Sequence, residues 1–472
     1  MFVELNEEFS EKFEKMIAKA MIEMRIPGLS VVLVKNDKVI YARGFGARNL
    51  KYNFPATPDT LYGIGSCTKS FTALAIMQLV EQGELDVQDP VNKYLPFELG
   101  KKESPITIHN LLTMSSGIPD LGVATILIDK LTGAAENWVP MSSIEDLLSY
   151  VNGASEEIVA DPGNRFFYLN TGYTLLGEIV ERVSKIQYEV YIKEKILKPL
   201  KMERSTFLEE DFEKDADIMT PYLIQNKDGE VIVTPSRHPF HKFVYAPGGL
   251  LSSVKELTHY LFANINGGIL GENRILDASL MEKMHSIQFE TDVFRSSFGE
   301  CGKTGYGYGW MISENFLGHK VVRHGGSTRV SSAQLMFVPD LKIGIAAAAN
   351  TSPGPESILL GALTFLMGKD PEKEIPDFEI ERKLCMLAGE YASYHGVFKI
   401  SVAKKGPLLF FESRQRGMPR SFPLIPETDK LENFKFYAFV GPGKKMTIEF
   451  KVESTGKIDL YDERVRYHKI GG

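Results

Sequence analysis

The sequence predicts an α+β protein: one antiparallel sheet flanked by terminal helices and interrupted by a long, mainly helical insertion, followed by a small all-β antiparallel barrel. Three observations carry this expectation. Strand-like runs stand on both sides of a helical stretch that extends from about residue 68 to 265. After a proline- and charge-bearing segment at 368–383 the apolar period changes from helical spacing to two. The 472-residue length leaves room for two or three domains at roughly 150 residues each.

In chain order, Phe9, Phe13, Met16, Ile17, Ala20, Met21 and Met24 recur at helical spacing behind the capping candidate Asn6 and the acids Glu7 and Glu8. Gly28 to Val34 and Lys38 to Phe45 form β-branched runs on either side of Asn36-Asp37, the pattern of a hairpin. Past the helical stretch, strands are expected at Gly307 to Ile312, Lys320 to His324, Gln334 to Val338 and Lys342 to Ala349, and a helix at Glu356 to Met367. Pro371 and Pro376 mark Gly368 to Lys383 as a linker. Phe398, Ile400 and Val402, then Met446, Ile448, Phe450 and Val452, alternate as barrel strands do. The expected division is 1–367, a linker at 368–383, and a barrel at 384–472.

Composition narrows the function. A formal charge of −7, 43% hydrophobic and 24% charged residues describe a globular chain and exclude disorder and collagen-like repeats. The acidic balance argues against nucleic acid and anionic lipid as partners and favours small molecules or peptides. Arg414, Arg416 and Arg420 read as a solvated basic loop. No apolar run approaches the roughly 18 residues a membrane span needs, and the opening segment lacks the pattern of a secretory signal. A cytoplasmic protein is therefore expected. Cys67, Cys301 and Cys385 are scattered and form no CxxC pair, and His238 and His241 have no carboxylate or thiolate partners nearby in sequence, so no metal or cofactor is expected.

Ser66 and Lys69 stand three residues apart where the glycines of Tyr62-Gly63-Ile64-Gly65 give way to the apolar run Phe71 to Val80. At a helix start that spacing puts hydroxyl and amine on one face, and the helix amides point their dipoles toward the serine. A serine is a weak nucleophile until a base takes its proton, and a lysine can be that base only if its pKa falls well below about 10.4. Tyr168 and Asn170 precede a second amphipathic helix; a phenol there can pass a proton and an amide can hold an amine, although those residues alone read first as a core aromatic and a helix cap. His324-Gly325-Gly326 lies on an expected strand whose glycines would let a substrate backbone approach.

The stretch IGSCTKSFTALAIMQLVEQGELDVQDPVNKYLP, with YLN at 168–170 and HGG at 324–326, resembles the serine β-lactamase and penicillin-binding protein family in its class C, D-alanyl carboxypeptidase and esterase branch. Leu169 departs from the Ser or Ala usual between the Tyr and Asn. IPGLSVVLVKNDKVIYARGFG, APGGLLSSVKELTHYL and YGYGWMI extend the resemblance over about residues 10 to 365. LAGEYASYHGVFKI is similar to the lipocalin-like barrel of CubicO-group penicillin-binding protein homologues. The resemblance implies Ser66 as nucleophile, Lys69 as base and Tyr168 as proton relay. It further implies Asn170, His324, Gly325 and Gly326 as substrate-positioning residues, with the Ser66 and Ser327 amides holding the oxyanion. It implies a serine peptidase on short peptides containing D-amino acids, with an esterase, a weak β-lactamase or a non-catalytic peptide- or lipid-binding homologue as alternatives. It also implies a homo-oligomer, possibly a closed octameric cage. Insert-like stretches at Leu121 to Met141, Pro221 to Tyr245 and Gln288 to Lys303 are expected to wall the cleft.

Overall fold

The computed structural model describes residues 7–101, 103–137, 139–227, 230–294, 301–415 and 418–471. Among them the chain divides into two compact units between Met367 and Gly368. Asn6, the expected cap of the first helix, lies outside the described residues; the helix itself runs Glu7–Glu23.

The first unit is built on a nine-stranded antiparallel sheet among the described residues. Its strands, in spatial order, are Phe289–Glu290, Thr304–Tyr306, Met311–Phe316, His319–Ser327, Ser332–Val338, Ile343–Ala349, Gly28–Lys35, Lys38–Asn49 and Phe54–Pro55. The two ends of the unit meet at the pairing of Gly28–Lys35 with Ile343–Ala349, where Ser30 stands opposite Ala348 and Val32 opposite Ala346. Every residue of Ser332–Val338 and Ile343–Ala349 is buried, as strands covered on both faces require. The helix Val254–Ile265 packs on these central strands, and Glu356–Leu366 packs on them and on the opening helix. The run AAAA at 346–349 offers small side chains along that strand.

Between the sheet halves lies the helical insertion. Its central member, Thr68–Glu81, is buried at every position from Thr68 to Leu79, as its apolar run predicts. Phe71, fully buried, stacks on Tyr260 with ring centroids 3.8 Å apart at 16°.

Two expected elements differ. Gly307 to Ile312 is not one strand: the chain turns there, with the Gly307 amide donating to the Trp310 carbonyl at 2.8 Å and Gly309 at φ +75°. The alternating glycines and tyrosines imitate a strand period, but a left-handed glycine breaks it. Gly368 to Lys383 is not an irregular linker either, for it carries the helices Pro371–Glu374 and Pro376–Leu387. Both prolines sit in a first turn, where the missing N–H costs nothing, so they start helices instead of stopping them.

The second unit closes eight strands into an antiparallel barrel, from Gly389–Ala392 through Lys399–Lys405, Leu408–Gln415, Met418–Pro426, Lys435–Gly441, Lys444–Val452 and Ile458–Tyr461 to Arg466–Gly471. Side chains such as Tyr391, Val402, Leu409, Phe436, Phe450 and Leu460 make one apolar cluster, joined by Leu384 and Leu387 of the preceding helix. Arg420, expected in a loop, is paired with Ser413 within the barrel, while Arg416 lies outside the described residues.

Truncation of the stacked ring tests the insertion's core. Phe71→Ala is expected to destabilise the first unit by about 3–5 kcal/mol. Chemical denaturation should then show its transition at lower denaturant with the barrel's transition unmoved.

Candidate active site

Ser66 occupies a single 3-10 turn, Gly65–Cys67, that leads into the helix Thr68–Glu81. Gly65 has φ +53°, a conformation that favours glycine. The Thr68 hydroxyl ties the turn by donating to the Gly65 carbonyl at 2.7 Å and accepting from the Leu250 amide at 3.2 Å. The result leaves Ser66 partly exposed and Lys69, one helical turn on, fully buried.

Lys69 Nζ lies 2.9 Å from Ser66 Oγ, 2.8 Å from Asn170 Oδ1 and 2.7 Å from the Pro247 carbonyl. Burial pulls its pKa down from 10.5 to about 7, with the charge of Asp120 opposing the shift. The uncharged amine has two hydrogens and one lone pair. Amide and carbonyl oxygens can only accept, so Asn170 and Pro247 take the hydrogens and the lone pair is left for the Ser66 hydroxyl proton.

Asn170 begins the helix Asn170–Ser184, but Leu169 is its cap residue and makes no side-chain cap bond. The Asn170 amide therefore serves Lys69 and not the helix end. The Tyr168 ring lies 4.9 Å from Lys69 Nζ. Burial pushes its phenol above the usual range, opposed by a hydrogen bond with Ser66, so the hydroxyl keeps its proton throughout the neutral range.

His324 lies on the strand His319–Ser327 as expected, but its environment is not an open cleft. The side chain is fully buried, with Nε2 2.9 Å from the Tyr306 hydroxyl and Nδ1 2.6 Å from the Gly325 carbonyl. The carbonyl accepts only, so Nδ1 carries the hydrogen and Nε2 accepts from the phenol. Burial, with Lys69 nearby, pulls the imidazole down to about 3. It is neutral at any physiological pH. The glycines after it act through what they lack. A Cβ on Gly325 would lie 2.4 Å from Gln334 Oε1, and one on Gly326 would lie 2.0 Å from the Ile64 carbonyl oxygen and 2.6 Å from the Ser66 amide nitrogen. A Cβ on Gly65 would in turn lie 2.3 Å from the Ser327 amide nitrogen. The Ser66 turn and the strand end are thus in backbone contact, which brings the Ser66 and Ser327 amides together.

Ser66, Asn170, Gly248, Ser327 and Arg329 line a cavity of about 230 Å³. Ala124, Thr125, Ile128 and Asp129 add a wall from the expected insert Leu121 to Met141, and Val244 one residue from Pro221 to Tyr245. No described residue of Gln288 to Lys303 lines it. A larger cavity of about 590 Å³, beside Glu178, Tyr188 and His241, contains neither Ser66 nor Lys69. His241 caps the helix Lys242–Gly248 through Nδ1, which accepts from the Phe243 amide at 3.2 Å. Cys67, next to Ser66, is buried, and burial pushes its thiol up to about 12.

Sequence reasoning missed Pro247, Tyr306, Gly309 and Arg329 as parts of the site. Pro247 acts through a carbonyl, which no side-chain pattern announces. Gly309 lets its turn press on the nucleophile helix, since a Cβ there would lie 2.8 Å from the Lys69 carbonyl oxygen. The GYGYGW run was visible, but only as an expected strand.

An antiparallel sheet with a helical insertion, holding a serine whose hydroxyl meets a buried lysine, is the serine hydrolase fold of the β-lactamases and penicillin-binding proteins. Residues 13–364 match the Beta-lactamase family, and the chain belongs to it. Residues 371–468 match the Pab87 octamerisation domain. The octameric penicillin-binding protein homologue from Pyrococcus abyssi superposes with a TM-score of 0.86 at 42% identity, covering 98% of this chain and 100% of that one. Protein flp of Staphylococcus aureus strain MW2 is 28% identical over 351 residues, 73% of this chain and 64% of that protein. A putative penicillin-binding protein, PbpX of Bacillus subtilis, is 30% identical over 244 residues, 52% of this chain and 56% of that one. This chain thus spans less than two thirds of those two relatives. The octamerisation-domain match and the octameric relative support a homo-oligomer. No helix among the described residues is long and apolar enough to cross a membrane.

Substituting Gly326→Ala forces a methyl into the Ser66 turn. Acylation of Ser66 is expected to fall by about 10² or more, as when an oxyanion donor is displaced. Single-turnover labelling by a fluorophosphonate, with circular dichroism to check that the fold persists, measures it.

Proposed function

We propose that this chain is a serine peptidase that works through an acyl-enzyme on short peptides containing D-amino acids, in the cytoplasm and inside a closed octameric cage. The observation that carries the reading is the buried Lys69, whose Nζ lies 2.9 Å from the Ser66 hydroxyl with Asn170 and Pro247 as its other partners, and whose pKa burial lowers to about 7. The octameric Pyrococcus abyssi relative and the octamerisation-domain match support the assembly, and the D-peptide class follows the family resemblance. The scattered cysteines, which form no CxxC pair, support the location.

In this reading Ser66 Oγ attacks the scissile carbonyl carbon as Lys69 takes its proton, and the oxyanion forms against the Ser66 and Ser327 amides. Collapse breaks the C–N bond. Tyr168, which keeps its proton across neutral pH, gives it to the departing amine and is reprotonated from Lys69. Water then attacks the acyl-enzyme, its proton passing to Lys69 and on to Ser66 as the acid leaves. His324, neutral and bonded to Tyr306, supports the strand that carries Ser327 and does not meet substrate charge.

The pH dependence has a definite sign. The active amine is the deprotonated form, so acylation is expected to rise with pH, reach half its maximum near pH 7 and level off above, because Tyr168 stays protonated. Fluorophosphonate labelling rates across pH 5 to 9 should follow that curve; a flat profile would remove Lys69 as the base.

Intact mass after fluorophosphonate treatment tests the reading itself. An adduct on the natural chain and none on Ser66→Ala is expected. D-aminoacyl amides should be turned over faster than their L counterparts; equal rates would remove the D-peptide preference.

A further inference from the structure

Two residues that line the cavity beside Ser66, Asp129 and Arg329, are bonded to each other although they lie 200 residues apart in the chain. Asp129 belongs to the helix Val123–Thr132, where Ala124, Thr125, Ile128 and Asp129 recur at the spacing of one helical face and all line the cavity. Arg329 stands in the loop that follows the strand His319–Ser327, on the other side of the nucleophile turn.

The root of the arginine is fixed from several sides. Thr328 clasps Ser331 through its amide, which donates to the Ser331 carbonyl at 2.9 Å, and through hydroxyls 2.7 Å apart. Arg329 follows at φ +71°, a conformation an arginine keeps only where its surroundings impose it, with its amide donating to Ser327 Oγ at 3.1 Å. Ser327 Oγ in turn donates to Ser352 Oγ at 3.0 Å. The far end of the side chain is fixed as well, because the guanidinium donates through Nε to Asp129 Oδ1 at 2.7 Å and through Nη2 to Oδ2 at 3.3 Å. One edge of the guanidinium thus meets both oxygens of one carboxylate.

The two partners are unequal. The Asp129 side chain is 18% exposed and that of Arg329 53%. The carboxylate is the fixed post, and the guanidinium is the member that water can take back. An ion pair with one partner half in water is weak and is screened by salt, so this contact can open at small cost. With the pair closed, the cavity measures about 230 Å³, below the roughly 300–1,000 Å³ of typical ligand pockets.

We propose that the Arg329 side chain, held by Asp129, is a removable bar across the rim of the cavity, selecting substrates with small side chains beside the scissile bond and admitting bulkier ones when the pair is loosened. The assignment rests on the reading of Ser66 as the acylated nucleophile. Asp129 acts in it only through Arg329 and touches no reacting atom.

The test labels Ser66 with two uncharged reagents, diisopropyl fluorophosphate and its bulkier diphenyl analogue, and reads the bulky-to-small rate ratio by intact mass; comparing that ratio between variants cancels the intrinsic reactivity of the reagents. Asp129→Asn, which keeps the size of the side chain and loses its charge, is expected to raise the ratio about threefold to fivefold, the range for an ion pair with one partner largely enclosed. Raising salt from about 0.1 M to about 1 M should do the same to the natural chain. Arg329→Ala should raise the ratio at least as far and should abolish both the salt response and any effect of adding Asp129→Asn. A ratio unmoved by Asp129→Asn or by salt overturns the bar, as does either effect persisting in Arg329→Ala; salt on the natural chain decides alone if Asp129→Asn does not fold. No adduct from the small reagent on the natural chain rejects the hydrolase reading and the bar with it, whereas an adduct with an unmoved ratio rejects the bar alone.

Discussion

The removal of one ammonium group from water is the constraint on which the site depends. Lys69 is sealed on a helix that is itself buried, and its depression from 10.5 to about 7 amounts to about 5 kcal/mol of preference for the neutral amine. The sign of the linked stability follows. The folded chain holds the amine at a pKa below its unfolded value, so its cost to folding is absent above pH 10.5, grows as the pH falls toward 7 and is complete below. Packing around the helix, of which the Phe71 and Tyr260 stack is one part, offsets that cost. A serine needs a base near neutrality, and a cation in bulk water would not serve.

The acceptors that make the buried amine useful come from distant stretches. Asn170 arrives on the helix Asn170–Ser184 and the Pro247 carbonyl at the end of Lys242–Gly248, the two helices meeting where a Cβ on Gly177 would come within 2.6 Å of the Ala246 methyl. Gly326 and Ser327 come from the sheet. Because strand Gly28–Lys35 pairs with Ile343–Ala349, the sheet closes only when both ends of the unit are in place. The nucleophile turn then seats against the end of His319–Ser327. Catalytic geometry and sheet closure are in this sense one event.

What could be read from the sequence follows the range of the interaction. Ser66 and Lys69 were legible because three residues of helix set their distance, and the burial of the helix that follows was legible from its apolar run. Asn170 and Tyr168 were found as residues but not separated from cap and core roles, since that choice needs the position of Lys69, 101 residues away along the chain. His324 was placed on the correct strand as a substrate-positioning residue, while its enclosure was not legible because it depends on Tyr306, which sits on a neighbouring part of the sheet. The prolines at 371 and 376 were read as breakers, although proline at a first helical turn is a start signal; only the downstream periodicity separates the two meanings, and it is short there.

The neutral histidine has a further consequence for charge. A strand cation beside the nucleophile would add its field to that of any other cation nearby and depress Lys69 further. With His324 uncharged, the depression of Lys69 comes from burial alone, and Asp120 pulls it back toward the neutral range where a base is most effective. In the loop after the strand, the half-exposed Arg329 is paired with Asp129 and does not lie unpaired beside the amine.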